Sequence, residues 1–153
     1  MRIGTKMSRI LAPAAIGAAV AIGAAGTAYG SNAPLGATQT LDAGPMVTAY
    51  TVSGLRPSND AVNAPVAGRL WEATTTVDAV QGTVTPAIPF FNARADNGQN
   101  YRVLFQAPAD QGLNGSPVPQ GTATKGKIYF DVTGGQPTSV VYNDGVQDRL
   151  IWS

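Results

Sequence analysis

The sequence contains no cysteine and no histidine. Without cysteine there are no disulfides, thiolate metal sites or thiol nucleophiles, and without histidine there is no Ser-His-Asp relay. Charged residues are also scarce, at 12% of 153 residues against 44% hydrophobic residues. This balance is unlike that of a disordered tail or a coiled coil, and it is typical of a single globular domain of ordinary size.

The first 28 residues have the order of a secretory signal peptide. Arg2, Lys6 and Arg9 form a basic start, residues 10–25 carry no charge, and small residues follow up to Ala28. This order predicts cleavage after Ala28 and a mature chain, 29–153, that is secreted into the extracellular space without a stable membrane anchor. An uncleaved transmembrane anchor is the weaker alternative, because the apolar run is shorter than the ~20 residues that a bilayer requires.

Removal of this leader reverses the net charge of the chain. The whole sequence carries +1, whereas residues 29–153 hold seven basic and nine acidic residues, a net charge of −2. A mildly acidic surface has no electrostatic reason to bind nucleic acid or anionic lipid. No motif indicates a cofactor, so we expect none.

The mature composition favours strands over helices. Val, Thr, Ala, Gly and Pro are frequent, and Glu72 is the only glutamate. Short alternating runs separated by Gly, Pro, Asn and Asp predict an all-β fold of about eight strands, in two packed antiparallel sheets that form one domain. The predicted strands are 36–41, 46–52, 69–79, 83–84, 88–94, 100–106, 126–132, 138–142 and 149–152, with long loops at 53–68 and 107–121.

Turn residues and alternation add detail to this prediction. Gly98 and Gly145 each end an Asx-rich turn, which predicts hairpins between 88–94 and 100–106 and between 138–142 and 149–152. Within strands 69–79 and 126–132, alternation directs one set of side chains to the core: Trp71, Ala73, Thr75, Val77, Ile128, Phe130 and Val132. It directs the other set outward: Leu70, Glu72, Thr74, Thr76, Asp78, Lys127, Tyr129 and Asp131. We also expect Trp71, Phe105, Phe130 and Trp152 to belong to the core.

Two motifs resemble binding sites but lack required parts. Residues 121–127 have the G-x4-G-K spacing of a phosphate-binding loop, yet Ile128 replaces the Ser or Thr that holds magnesium, and a strand follows where a helix is needed. We interpret this segment as the entry to a strand. The pairs Asp96-Asn97 and Asn143-Asp144 lack the spacing of a calcium loop and predict turns.

Carboxylates are the main remaining candidates for proton transfer. Glu72 and Asp78 share one strand face, but six residues at ~3.3 Å each separate them by about 20 Å, too far for a glycosidase pair. Asp131 on another strand is an alternative partner for Glu72. The sequence selects neither pair, and we expect a solvated strand face and no catalytic residues.

Phe90 and Phe91 give the best indication of a contact surface. In a strand the two adjacent rings would point to opposite faces, which would leave one of them exposed. The alternative is a bend at Pro89 that buries both rings. We predict a contact surface at Phe90 and Phe91 for an unidentified protein partner, from the producer's envelope or a host surface.

Several runs resemble a known family in their order and spacing. They are PVAGRLWEAT at 65–74, VTPA at 84–87, FNAR at 91–94, NYRVL at 100–104, PQG at 119–121, GKIYFDVT at 126–133 and LIW at 150–152. Together they resemble the immunoprotective extracellular protein family, small secreted immunogenic antigens of mycobacteria and their relatives. The resemblance covers most of residues 46–152 and implies a signal peptide, an immunoglobulin-like β-sandwich and release outside the cell. It implies no enzymatic activity and no catalytic residues.

These observations favour a secreted, non-catalytic binding module. Two alternatives stay open. One is a carrier of an apolar small ligand between the sheets, suggested by the small residues Ala73 and Thr75 facing the expected core. The other is a hydrolase of cell-wall polysaccharide that uses Glu72 and Asp131. The lack of histidine also predicts little structural change between pH 8 and pH 6.

Overall fold

A computed structural model describes residues 30–105 and 109–153. Within these residues the chain forms nine strands and one 3-10 turn at Ile88–Phe90. The strands are β1 Ser31–Ala33, β2 Thr38–Asp42, β3 Val47–Pro57, β4 Arg69–Gln81, β5 Phe91–Ala95, β6 Asn100–Arg102, β7 Ala123–Val132, β8 Pro137–Asn143 and β9 Asp148–Trp152. No helix in this part of the chain is long and apolar enough to cross a membrane. The predicted signal peptide, 1–28, lies outside the described residues.

The strands pack as two sheets. One has five strands in the order β1-β9-β8-β5-β6, and the other has four in the order β2-β3-β4-β7. The predicted all-β, immunoglobulin-like sandwich without a disulfide is confirmed. One described strand, β1, was not predicted, and it pairs in parallel with β9, unlike the predicted antiparallel strands. Three residues are too few to show an alternating pattern, so β1 has no signature in the sequence.

Both predicted hairpins are present, and the registers are defined. Across β5 and β6, Asn92 lies opposite Arg102 and Arg94 lies opposite Asn100. Gly98, with φ of 84°, permits the turn between these strands. β8 and β9 pair in the same antiparallel manner after the turn at 144–147. The turn residues therefore predicted both connections.

The interior is filled by alternate side chains from both sheets. Trp71, Ala73, Thr75 and Val77 of β4 and Ile128, Phe130 and Val132 of β7 are buried, as predicted. From the facing sheet, Phe91 meets the Tyr142 ring edge-on at 5.4 Å and stacks on Trp152 at 6.4 Å. These aromatic rings occupy the space between the sheets.

The predicted strand 46–52 continues to Pro57 as β3. Gly54 adopts a φ of 64° at an irregularity in the pairing with β4, after which pairing resumes. Arg56 then lies opposite Glu72, and Pro57 lies opposite Trp71. A bulge at a glycine explains why the alternating pattern breaks while the strand goes on.

Residues 58–68, here called the cover loop, lie on the outer face of the four-stranded sheet. The Ser58 amide donates to the Leu70 carbonyl at 2.8 Å. At the other end, the Ala67 and Gly68 amides donate to the two carboxylate oxygens of Asp131, each at 2.8 Å. The loop is thus attached to this face at both of its ends.

The prediction of a solvated face is wrong beneath the cover loop. Glu72 is only 4% exposed and Tyr129 only 3%. Leu70, on the same face, is buried as well. A period-two pattern reports the face of a strand, and it contains no information about a loop that later covers that face.

The free side of β7 is also covered. The Leu104 amide donates to the Tyr129 carbonyl, and Lys127 exchanges backbone hydrogen bonds with Gln111 and Leu113. These bonds satisfy an edge that would otherwise be open to pairing with other chains.

Three predicted strands are shorter than expected. Strand 83–84 reduces to a single bridge between Val84 and Val118. Strand 88–94 begins as the 3-10 turn that contains Pro89, because proline has no amide to give to a sheet. The strand predicted at 100–106 ends at Arg102, and position 106 lies outside the described residues. Phe105 follows in a turn and is 52% exposed, so its predicted place in the core is wrong.

Candidate functional site

Phe90 and Phe91 lie in different environments. Phe91 begins β5 and is fully buried between the sheets. Phe90 ends the 3-10 turn, is 38% exposed, and packs edge to face on Tyr142 at 5.6 Å. The Asn92 side chain donates to the Phe90 carbonyl at 3.2 Å. Of the two residues predicted to form a contact surface, the structure therefore places Phe90 at the surface and Phe91 in the core.

Phe90 lines a concavity of about 410 Å³ on the outer face of the five-stranded sheet. The other lining residues are mostly polar and come from neighbouring elements: Pro89, Asn92, Arg94, Asn100 and Arg102 from the turn, β5 and β6, with Asn143 at the end of β8 and Gly145 in the turn that follows it. We call this surface the β5–β6 concavity. It combines one aromatic ring with amide and guanidinium groups, a composition typical of recognition surfaces.

Alternation and register bring these polar groups together. In β5, Asn92 and Arg94 alternate with buried residues, and the register places them beside Arg102 and Asn100 of β6. The sequence carried this signal, because the predicted hairpin and its alternation already put all four residues on one outer face. The prediction overlooked them since neither strand shows a catalytic or binding motif.

The Arg94 guanidinium is fixed by several partners. Its Nη1 and Nη2 donate to the two carboxylate oxygens of Asp148 at 2.7 and 3.2 Å, and its Nε donates to Asn100 Oδ1 at 2.8 Å. Asn143 Nδ2 donates to the same carboxylate at 2.8 Å. The Arg94 hydrogen bond in particular lowers the pKa of Asp148 below its usual range. Arg94 therefore orders the surface while its charge is neutralised.

Arg102 differs from Arg94 in having no such partner. It is exposed, and it makes no ion pair or side-chain hydrogen bond with any residue in the described part of the chain. The remaining arginine near this sheet, Arg149, is paired with Asp144 at 3.2 Å. Arg102 thus supplies the concavity with an unpaired positive charge and up to five N–H donors.

A second polar cluster lies under the cover loop on the opposite side of the molecule. Lys127 Nζ is 2.8 Å from Asp60 Oδ2 and 2.8 Å from Glu72 Oε2. The Tyr129 hydroxyl donates to Asp60 Oδ2 at 2.7 Å. Arg56 reaches Glu72 more loosely, at 3.8 Å. We call these residues the Lys127 cluster. Sequence reasoning missed Asp60, because a loop residue has no periodicity.

The Lys127 cluster is a matched set of charges. Hydrogen bonds from Lys127 and then Tyr129 hold the pKa of Asp60 below its usual value. The Asp60 and Glu72 carboxylates in turn raise the pKa of Lys127. Burial, reinforced by Asp60, raises the pKa of Tyr129, so its hydroxyl remains a donor at neutral pH. The groups stabilise one another and join the cover loop to β4 and β7.

Asp131 does not share a reactive site with Glu72. The two residues are diagonal neighbours across β4 and β7, but both oxygens of the Asp131 carboxylate accept the Ala67 and Gly68 amides. Glu72 faces Lys127 instead. Both carboxylates therefore have structural partners on this face.

The other motifs have structural roles as well. Residues 123–132 form β7, so the segment with phosphate-loop spacing enters a strand, and its Lys127 belongs to the cluster just described. Asn97, Asn143 and Asp144 each accept backbone amides of their own turns. Among residues 30–105 and 109–153, no three Asp or Glu residues are grouped so as to hold a metal ion.

Comparison with known proteins assigns the chain to a family. Residues 31–152 match the family described as a domain of unknown function, DUF1942. The chain belongs to this family. Immunogenic protein MPB63 of Mycobacterium bovis and immunogenic protein MPT63 of Mycobacterium tuberculosis are both 44% identical to it, over 99% of this chain and 99% of theirs. The resemblance inferred from the sequence runs is confirmed.

A solved structure of a family member supports the fold. The crystal structure of MPT63, described as a secreted protein from Mycobacterium tuberculosis, superposes with a TM-score of 0.80 at 48% identity. The match covers 83% of this chain and 99% of the solved chain. MPT63 thus shares this sandwich with the present chain.

Proposed function

We propose that this DUF1942 chain is a secreted, non-catalytic binding module that contacts a protein partner through the β5–β6 concavity. The observation that carries the proposal is a partly exposed aromatic ring, Phe90, packed against Tyr142 at a polar concavity. Aromatic anchors next to arginine are the usual centres of protein recognition surfaces. A ring that is already packed on one side also loses less conformational entropy on binding than a fully exposed side chain.

Secretion is supported by the leader pattern of residues 1–28 and by the description of the MPT63 structure as a secreted protein. N-terminal sequencing of the protein recovered from culture medium tests this part. We expect Tyr29 as the first residue. An intact N terminus in the cell pellet, with none of the protein in the medium, would contradict it.

The two alternative functions have less support. A carrier needs free volume between the sheets, where Phe91, Phe130 and Trp152 now pack. A hydrolase needs two accessible carboxylates, whereas Glu72 is buried beside Lys127 and Asp131 accepts two backbone amides. The packed interior does not favour binding of an apolar ligand, and the placement of the two carboxylates does not favour hydrolysis.

Crosslinking of the secreted protein to producer envelope extracts and to intact host cells, read by mass spectrometry, tests the proposed contact. The informative variant is Phe90→Ala, and the matched control is Met46→Ala, which also removes a partly exposed apolar side chain but lies just before β3. We expect saturable crosslinks that Phe90→Ala reduces about tenfold or more and that Met46→Ala leaves unchanged. Equal crosslinking by the two variants, or none by the parent protein, would overturn the proposal.

A further inference from the structure

We propose that the β5–β6 concavity recognises a carboxylate on a short acidic peptide segment and that Arg102 is the residue that binds it. This inference rests on the proposed function and specifies the chemistry of the partner. It starts from the difference between the two arginines that line the same concavity, Arg94 and Arg102.

Arg94 is unsuited to bind an added anion. Its two terminal nitrogens already donate to Asp148, and its Nε donates to Asn100. Three of its five N–H groups are already in use and Asp148 neutralises its charge, so an added carboxylate would gain little from Arg94. Arg94 and Asp148 therefore serve as a fixed, nearly neutral wall.

Arg102 has the opposite properties. It lies opposite Asn92, diagonal to Arg94, and no acidic side chain of the described residues pairs with it. The planar guanidinium presents parallel N–H groups that match the two oxygens of a carboxylate. Asn100 Oδ1 accepts the hydrogen bond from Arg94 Nε, which leaves the Asn100 side-chain nitrogen as an additional donor at the same surface.

The choice of a short acidic segment follows from the size and charge of the site. A volume of about 410 Å³ accommodates a few side chains and not a folded domain. The exposed Phe90 ring offers an apolar contact beside the charge. Because residues 29–153 carry a net charge of −2, a long polyanion would be repelled by the rest of the surface, whereas one or two carboxylates would interact mainly with the nearby charge of Arg102, since Asp144 and Asp148 are paired with arginines.

The experiment is an NMR titration of the isotopically labelled secreted protein with two capped peptides, Leu-Glu-Glu-Leu and Leu-Gln-Gln-Leu. We expect saturable shifts at Asn92, Asn100 and Arg102 with the glutamate peptide, and at least about tenfold weaker binding of the glutamine peptide. Binding of the glutamate peptide should also weaken as the salt concentration rises.

Three variants assign the effect to Arg102. Arg102→Gln should weaken glutamate-peptide binding about tenfold, and Arg102→Lys should weaken it less, because lysine keeps the charge but loses the paired donors. The control is Arg69→Gln, which removes an exposed arginine of β4 that is likewise unpaired in the described residues. It should leave the affinity unchanged.

The outcomes separate this inference from the proposed function. Equal affinity for the two peptides, no saturable shifts with either, or equal effects of Arg102→Gln and Arg69→Gln would each overturn the carboxylate assignment. A Phe90-dependent crosslinked partner would survive any of these results. Conversely, glutamate binding at Arg102 together with crosslinks that ignore Phe90→Ala would retain the anion site and overturn the protein-contact proposal.

Discussion

The outer faces of the two sheets use similar charged residues in opposite ways. On the four-stranded sheet the cover loop closes over Glu72 and Lys127, and the charges neutralise one another out of contact with most of the solvent. On the five-stranded sheet no described loop covers β5 and β6, and Arg102 remains unpaired. The first face shows how charges can attach a loop to a sheet, and the second presents a charge that has no ion-pair partner among the described residues.

The Lys127 cluster should give the largest stability effect. Lys127→Met would leave the buried Glu72 carboxylate without its close cation and would remove one of the two groups bound to Asp60. A buried charge without a partner is strongly unfavourable. We expect a clear decrease in the urea midpoint and faster hydrogen exchange at the Ser58, Ala67 and Gly68 amides.

The matched control for this variant is Lys125→Met on the same strand. Lys125 is exposed and makes no ion pair within the described residues. Its replacement should shift the urea midpoint several times less. Equal shifts for the two variants would show that the cluster does not stabilise the loop.

The pH dependence of stability should show an acidic and an alkaline limb. The pKa values of Asp60, Asp144 and Asp148 are lowered, chiefly by hydrogen bonds from Lys127, the Gln147 amide and Arg94, respectively. Because the unfolded carboxyls take up protons first as the pH falls, their contribution is complete above about pH 5 and is lost below about pH 4.

The alkaline limb arises from groups with raised pKa. Lys127 has its pKa raised by Asp60 and Glu72, so its contribution is complete below about pH 10 and is lost at higher pH. Burial also raises the pKa of Tyr50 and Tyr142, which destabilises the fold in the same range. Urea unfolding from pH 3 to pH 11 should give a plateau that includes pH 6 to 8. A step in stability between pH 8 and pH 6 would contradict this assignment.

Asp131 should have an intermediate effect. Asp131→Ala removes both acceptors of the Ala67 and Gly68 amides at the end of the cover loop. We expect a loss of about 1–2 kcal/mol in the free energy of unfolding. Chemical denaturation with an unchanged m-value would show that stability, rather than the unfolded state, is altered. The control is Asp78→Ala, which removes a carboxylate from β4 on the same outer face of the sheet. A decrease in the free energy of unfolding no greater than that of Asp78→Ala would refute this role.

Arg102 should give the smallest stability effect of the set. Arg102→Gln breaks no ion pair among the described residues, so the free energy of unfolding should change by no more than about 0.5 kcal/mol. The comparison of the two faces fails if this variant unfolds as readily as Lys127→Met. Thermal and urea unfolding of both variants under one condition provide the measurement.

Local sequence signals were sufficient for most of the sandwich. Alternation placed the core faces of β4 and β7, and the glycine turns placed two hairpins. The same signals contain the outward positions of Asn92, Arg94, Asn100 and Arg102, so the β5–β6 concavity could have been found from the hairpin register. Each of these features depends on neighbours that are close in sequence or set by a turn.

The remaining features depend on contacts between distant residues. Asp60 meets Lys127 across 67 positions of sequence, and this contact decides that Glu72 is buried. Phe105 follows Leu104, whose amide donates to the Tyr129 carbonyl at the edge of β7, and the Phe105 ring is exposed beyond that contact. No periodicity records such contacts, because they arise only when the loops pack on the finished sheets.

The position of β9 has a consequence for how the sheet is assembled during synthesis. β9 lies between β1 and β8, hydrogen-bonded to both, although it follows every other described strand in the sequence. Until residues 148–152 have been made, β1 has no partner in its sheet and β8 lacks one of its two neighbours. Closure of this sheet is therefore a long-range event that can occur only after residues 148–152 have been made.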